Sequence, residues 1–245
     1  MKFAGVILWL ILAAGPAQAR VFDITSEKVA GYFLATGGPS VLKTSAVLNE
    51  DNAAYTYSGE VPYNYSGEFG FLYAKSAMSL RFGFEILKPT ALKDSKASNG
   101  TTDLYNVNSD VSVFMPKLGL EINLQRTATY RAFLQAYAGA ASVSYKNDYT
   151  MINYAGQSDH SVEAKGTAVA YGGTLGVESH LTDTTTYVFE FGYRQMKVDG
   201  LKYGKDVTTF RGSQTAGDPV LDATGKPRTL DFTGGYISFG FRFYL

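Results

Sequence analysis

Five glutamates (Glu68, Glu85, Glu121, Glu178 and Glu190) and four arginines (Arg81, Arg131, Arg194 and Arg242) stand among apolar residues that recur every second position. A two-residue period turns such charges to the face opposite the apolar one. Carboxylates gathered away from water need cationic partners, and the planar guanidinium fork bridges two of them. Three chemistries fit this set: a closed filling of ion pairs, a path for protons or cations, or acid–base work by a carboxylate pair. The near balance of the two signs favours the filling, and Lys117 falls in the same register.

The remaining chemical signals are weaker. His160 lies in Ser158-Asp159-His160-Ser161, a grouping that could serve a surface hydrolase, but no residue that would orient the imidazole is identifiable. His180 reads as a structural, hydrogen-bonded histidine. Two histidines and no cysteine cannot build a zinc site of ordinary composition. Asn106-x-Asn108-x-Asp110 begins like a calcium loop, yet Val111 and Lys117 occupy the positions where Gly and Glu are needed. Gly172-Gly173-x-x-Gly176 opens no helix, so it is no nucleotide fingerprint. No cofactor and no metal is expected. With 22 basic and 22 acidic side chains the chain lacks the positive excess of a nucleic-acid binder.

The elements that carry these residues are strands. Phe82, Phe84 and Ile86 alternate with Arg81, Gly83 and Glu85, and Ile237, Phe239, Phe241 and Phe243 alternate with Ser238, Gly240 and Arg242. Segments of this kind cover 28–36, 66–75, 77–88, 109–124, 129–146, 165–181, 185–202 and 229–245. Connections near 75–76, 125–128 and 182–184 are short. Those at 37–65, 89–108, 147–164 and 203–228 are long and polar, so short and long alternate along the chain. An even number of strands with tight turns at one end and long loops at the other is the layout of an outer-membrane barrel.

The N-terminus agrees. Lys2, the apolar run Phe3–Ala14 and Ala17-Gln18-Ala19 form the three parts of a secretory signal in order. Residues 1–19 are therefore expected to be a cleaved signal peptide and 20–245 a single barrel.

The C-terminal segment Ser238-Phe239-Gly240-Phe241-Arg242-Phe243-Tyr244-Leu245 fits the terminal strand pattern of bacterial outer-membrane proteins, with Ser238, Gly240, Phe243 and Leu245 at its marked positions. Leu245 departs from the more usual terminal Phe. With the signal peptide and the loop alternation, the chain resembles the small eight-stranded outer-membrane barrels of the OmpX and OmpA transmembrane-domain type. The resemblance implies an all-β, transmembrane, antiparallel up-and-down barrel in the bacterial outer membrane of a Gram-negative cell. It implies two partners, membrane lipid and the barrel-assembly machinery that reads the last strand. It further implies a structural, surface-interacting or narrow porin-like role. The alternatives are a ten-stranded diffusion pore, using 41–48 and 53–65 as an extra hairpin, and an outer-membrane hydrolase using His160.

Pairing across the short turns sets Glu68 opposite Glu85, Leu120 opposite Leu134, Asn123 opposite Arg131 and Glu178 opposite Glu190, with Arg194 or Arg242 shared by the last two. It also turns Ala132, Ala136, Ala138 and Ala140 outward. Small residues let two membrane-embedded surfaces approach closely, so this face is expected to mediate a homo-oligomer.

Overall fold

Burial alternates residue by residue along the strands, as the apolar pattern requires: in the segment Met78–Pro89 every second side chain is buried. The computed structural model describes residues 22–153 and 156–245; the expected signal segment 1–19 lies outside them. The long strands are β1 (Val29–Pro39), β2 (Tyr63–Lys75), β3 (Met78–Pro89), β4 (Asp103–Arg126), β5 (Tyr130–Thr150), β6 (His160–Thr182), β7 (Thr185–Asp199) and β8 (Gly234–Tyr244). Each pairs antiparallel with the next, and β8 pairs with β1, which closes an eight-stranded ring. Closure removes the free edges that an open sheet would expose.

Directly paired residues can be followed across the sheet from Ala30 through Leu72, Arg81, Gly119, Tyr137, Gly172 and Arg194 to Gly234. Because Ala30 faces Tyr244 and Gly37 faces Ile237, this row meets β1 again level with position 40, ten residues beyond its start. A stagger of that size over eight strands tilts them by about 40° and leaves an interior that side chains fill.

The outward residues form an apolar belt. Phe33, Phe69, Phe71, Phe82, Leu118, Leu134, Tyr171, Phe191 and Phe239 are each between 44 and 62% exposed. In water so large a patch would drive aggregation; a belt of roughly 25 Å is what a bilayer-facing barrel presents. β4, β5 and β6, with 24, 21 and 23 residues, outrun the belt. Their outward face then turns polar, with Asp110, Lys146, Asp148, Glu163 and Lys165.

Two expected registers are shifted by two residues. Leu120 faces Ala136 and Asn123 faces Phe133, and the β4–β5 ladder is irregular between Asn123 and Gln125. Glu190 faces Gly176 and Glu178 faces Val188, with an irregularity between His180 and Thr182. A two-residue shift preserves the face of every side chain, so the inward and outward sets survive the correction. The ten-stranded alternative does not: the ring has eight strands, and residues 44–48 form a short helix, α1 (Thr44–Leu48).

The interior is layered. Outside the belt, Val113, Val143, Tyr145, Tyr149, Val198 and Phe232 pack with Leu42, Val47 and Leu48, which enter the barrel mouth with α1. At the opposite end Phe22, Ile24, Ala30, Leu72, Ala74 and Tyr244 form a second apolar cluster. The charged residues lie between the two.

Candidate functional site

Eight strands at this stagger bring inward side chains from opposite walls within reach of each other. Near the short-turn end, Arg131 Nη2 lies 2.7 Å from both Glu121 and Glu178. Arg242 spans the same two carboxylates at 2.7 and 3.0 Å and approaches Glu190 at 3.8 Å. Arg81 takes the next level, 2.7 Å from Glu190 and 2.8 Å from Glu68. Lys117 then joins Glu68 (2.6 Å) to Glu85 (3.0 Å), and Arg194 closes the series on Glu85 at 2.9 Å. Five cations and five carboxylates alternate through the belt, and every side chain is at most 8% exposed.

The like-charged pair Glu68–Glu85, directly opposed across β2 and β3, is thus bridged by Lys117. Arg242 reaches both Glu178 and Glu190, whereas Arg194 reaches neither of them and serves Glu85 instead. All nine charged residues expected inside lie inside.

Neutral groups complete the lining. The Tyr32 hydroxyl donates to Glu68 (2.7 Å), while Thr186 and Tyr244 both donate to Glu178 Oε1 (2.6 Å). Phe133 is flanked by the guanidiniums of Arg131 and Arg242, 4.8 and 5.0 Å from its ring centre. Lys117 sits 4.2 Å over the Tyr137 ring. Most of these residues carry no charge, and their signal in the sequence is only that they share the inward register. Among the described residues no group of three His, Cys, Asp or Glu is placed to hold a metal.

Other expected sites are placed as follows. Ala136, Ala138 and Ala140 are exposed on the outward face of β5, and Ala132 is half-buried. A shallow groove of about 550 Å³ runs over Ala136 and Gly173 between Leu120, Leu134, Leu175 and Phe191. In the terminal strand Ser238 points inward and pairs with Thr36 at 2.7 Å, while Phe243 and Leu245 are exposed. Gly240 is dictated by space: a Cβ there would lie 1.9 Å from the Phe33 carbonyl oxygen. His160 opens β6 rather than lying in a loop. One ring nitrogen meets the Ser158 carbonyl oxygen (2.9 Å) and the other faces Glu50 (3.6 Å). His180 is half-buried, stacked on Phe22 at 5.1 Å.

A closed eight-stranded ring with an apolar belt and an ion-paired interior defines a transmembrane β-barrel of the small outer-membrane class. No protein-family model matches the chain, and no curated protein does. Solved structures match along nearly their whole lengths. A major outer membrane protein of Thermus thermophilus is 12% identical over 89% of this chain and 99% of that one, with a TM-score of 0.50. OprG of Pseudomonas aeruginosa is 15% identical over 91% and 99%, and Neisserial surface protein A 10% over 89% and 96%, each with a TM-score of 0.41. At 12% identity the likeness to the Thermus protein is one of fold.

Proposed function

We propose that this chain is an integral protein of the bacterial outer membrane whose barrel is a closed pedestal, carrying its long extracellular segments without conducting solutes. The observation that carries the reading is the continuous alternation of cations and carboxylates from Arg194 to Arg131, capped by an apolar cluster at each end. Moving an ion through it means breaking several buried pairs in turn, each costing about 3–5 kcal/mol when one partner is lost. The β4–β6 extension and its packed core give the exposed segments a rigid base, which suits a surface-interaction role. The Ala136–Gly173 groove supports association of copies through β5, and lipid and the assembly machinery are the other partners of this reading. Planar-bilayer recording of the purified mature chain tests it: the expected trace is flat. Stable openings of general-porin size would replace the pedestal with a pore.

A further inference from the structure

Between β1 and β2 the chain turns into the barrel mouth, and Val47, Leu48, Asn49 and Glu50 are all at most 4% exposed. Both carboxylate oxygens of Glu50 are buried without a hydrogen bond. Oε2 lies 3.6 Å from Nε2 of His160, a nitrogen equally buried and equally without a hydrogen bond. The ring is held by Tyr149, stacked at 4.9 Å, and by Phe210, edge-on at 4.7 Å. Nδ1 is 2.9 Å from the Ser158 carbonyl oxygen. Both ring nitrogens therefore face groups that only accept. A neutral imidazole carries one N–H, so either tautomer leaves a lone pair against an oxygen; the imidazolium donates on both sides.

We propose that His160 and Glu50 form a proton-operated clasp: protonated His160 fastens the segment 42–52 to the start of β6, and loss of the proton loosens that segment from the barrel mouth. The clasp concerns the exposed end alone, and it stands whether or not the lumen conducts.

The other charged and titratable groups around Glu50 come from four places. Asp51 follows it on its own segment, Tyr145 and Tyr149 face it from β5, and Asp159 precedes His160. Tyr203, Arg211 and Arg228 approach from the connection between β7 and β8. Arg211 donates to the Glu50 carbonyl at 2.7 Å and Arg228 to the carbonyls of Val47 and Asn49, contacts that are constant with pH. Burial pushes the Tyr145 and Tyr149 hydroxyls up, and Tyr203 up to about 12, with the Glu50 charge adding to each. None of them titrates where a histidine does. Burial by itself lowers His160, but the Glu50 carboxylate and the Ser158 carbonyl outweigh it and hold its proton above the usual histidine range. The clasp is closed below the ordinary histidine value and lost as pH rises through the raised one.

The full mature chain in lipid nanodiscs provides the test, since it contains only two histidines and His180→Asn isolates the signal of His160. Imidazole NMR should show His160 titrating above a model histidine. Glu50→Gln should lower its proton affinity by about ten-fold, the scale of one lost neighbouring charge. Amide exchange of residues 42–52, corrected for its intrinsic pH dependence, should rise several-fold across the same interval in the wild type and show no step in Glu50→Gln. Heat-modified gel mobility identifies variants whose barrel has assembled. Protection that is flat with pH in the wild type, or an unchanged step in assembled Glu50→Gln, overturns the clasp.

Discussion

Arg242 on β8 and Glu121 on β4 meet across the interior at 2.7 Å although 121 residues separate them, and both are essentially without solvent contact. Arg242 also holds Glu178 at 3.0 Å. Its removal leaves Glu178 to Arg131 alone and Glu121 to Arg131 and the more distant Arg81, 3.6 Å away. Arg242→Met is expected to destabilise the barrel by about 3–5 kcal/mol, the cost of leaving buried charge uncompensated. Urea unfolding in lipid vesicles reads this directly, and a loss below about 1 kcal/mol would show that the interior is hydrated enough to screen the pair.

A double change at the same place should behave differently from either single one. Replacing Lys117 with Met exposes Glu68 and Glu85 to each other across β2 and β3. Adding Glu85→Gln removes one of the two charges, though it also takes a partner from Arg194. The double variant is expected to recover part of the stability lost by Lys117→Met, a coupling of about 0.5–3 kcal/mol. Strict additivity in the same unfolding assay would mean that Lys117 does not mediate between the carboxylates.

The apolar belt makes a depth-dependent claim. Phe239 is 48% exposed near the middle of the outward face of β8. Phe239→Arg is expected to cost about 2–4 kcal/mol, the penalty for a cation at mid-bilayer on a barrel's lipid face, falling toward about 0–1 near the interfaces. On gels the wild type should migrate faster unboiled than boiled. The Arg variant should shift toward the slow, unfolded band, and recovery of the wild type in a water-soluble periplasmic fraction would refute membrane insertion altogether.

Gly240 supplies a steric test of the terminal strand. Its missing side chain lets the β1 backbone approach closely, since a Cβ would fall 1.9 Å from the Phe33 carbonyl oxygen and 2.8 Å from the Leu34 Cα. Gly240→Val is expected to impair closure of β8 on β1. Gly37→Val on the neighbouring strand should be tolerated, because a Cβ there meets nothing within 4 Å. Assembly yield by heat-modifiability compares the two.

Association through β5 can be examined with single cysteines in this cysteine-free chain. Oxidation in the membrane should trap a dimer from Ala136→Cys, on the floor of the outward groove, and none from Phe84→Cys on β3. A product from neither position, together with a monomeric mass in native lipid particles, removes the homo-oligomer.

Much of this protein is legible in its sequence because a strand has a period of two. Phe82, Phe84 and Ile86 could share only one face, which left Arg81 and Glu85 to the other, and the alternation of short and long connections fixed the up-and-down order. Inward and outward sets are robust because a register error of two residues, as in the β4–β5 and β6–β7 pairings, keeps every side chain on its face. Apart from Arg242 on Glu178 and Glu190, which charges pair was not legible. That depends on the ten-residue stagger, which carries Arg81 to Glu190 on a strand four places away around the ring rather than to a sequence neighbour. The barrel mouth was hidden for a different reason. Glu50 and Arg228 lie in aperiodic segments, where no local pattern marks a residue as buried, and only the folding of α1 back into the mouth brings Glu50 to His160. Local spacing determines which way a side chain points, whereas closure of the ring and the return of its loops determine what it meets.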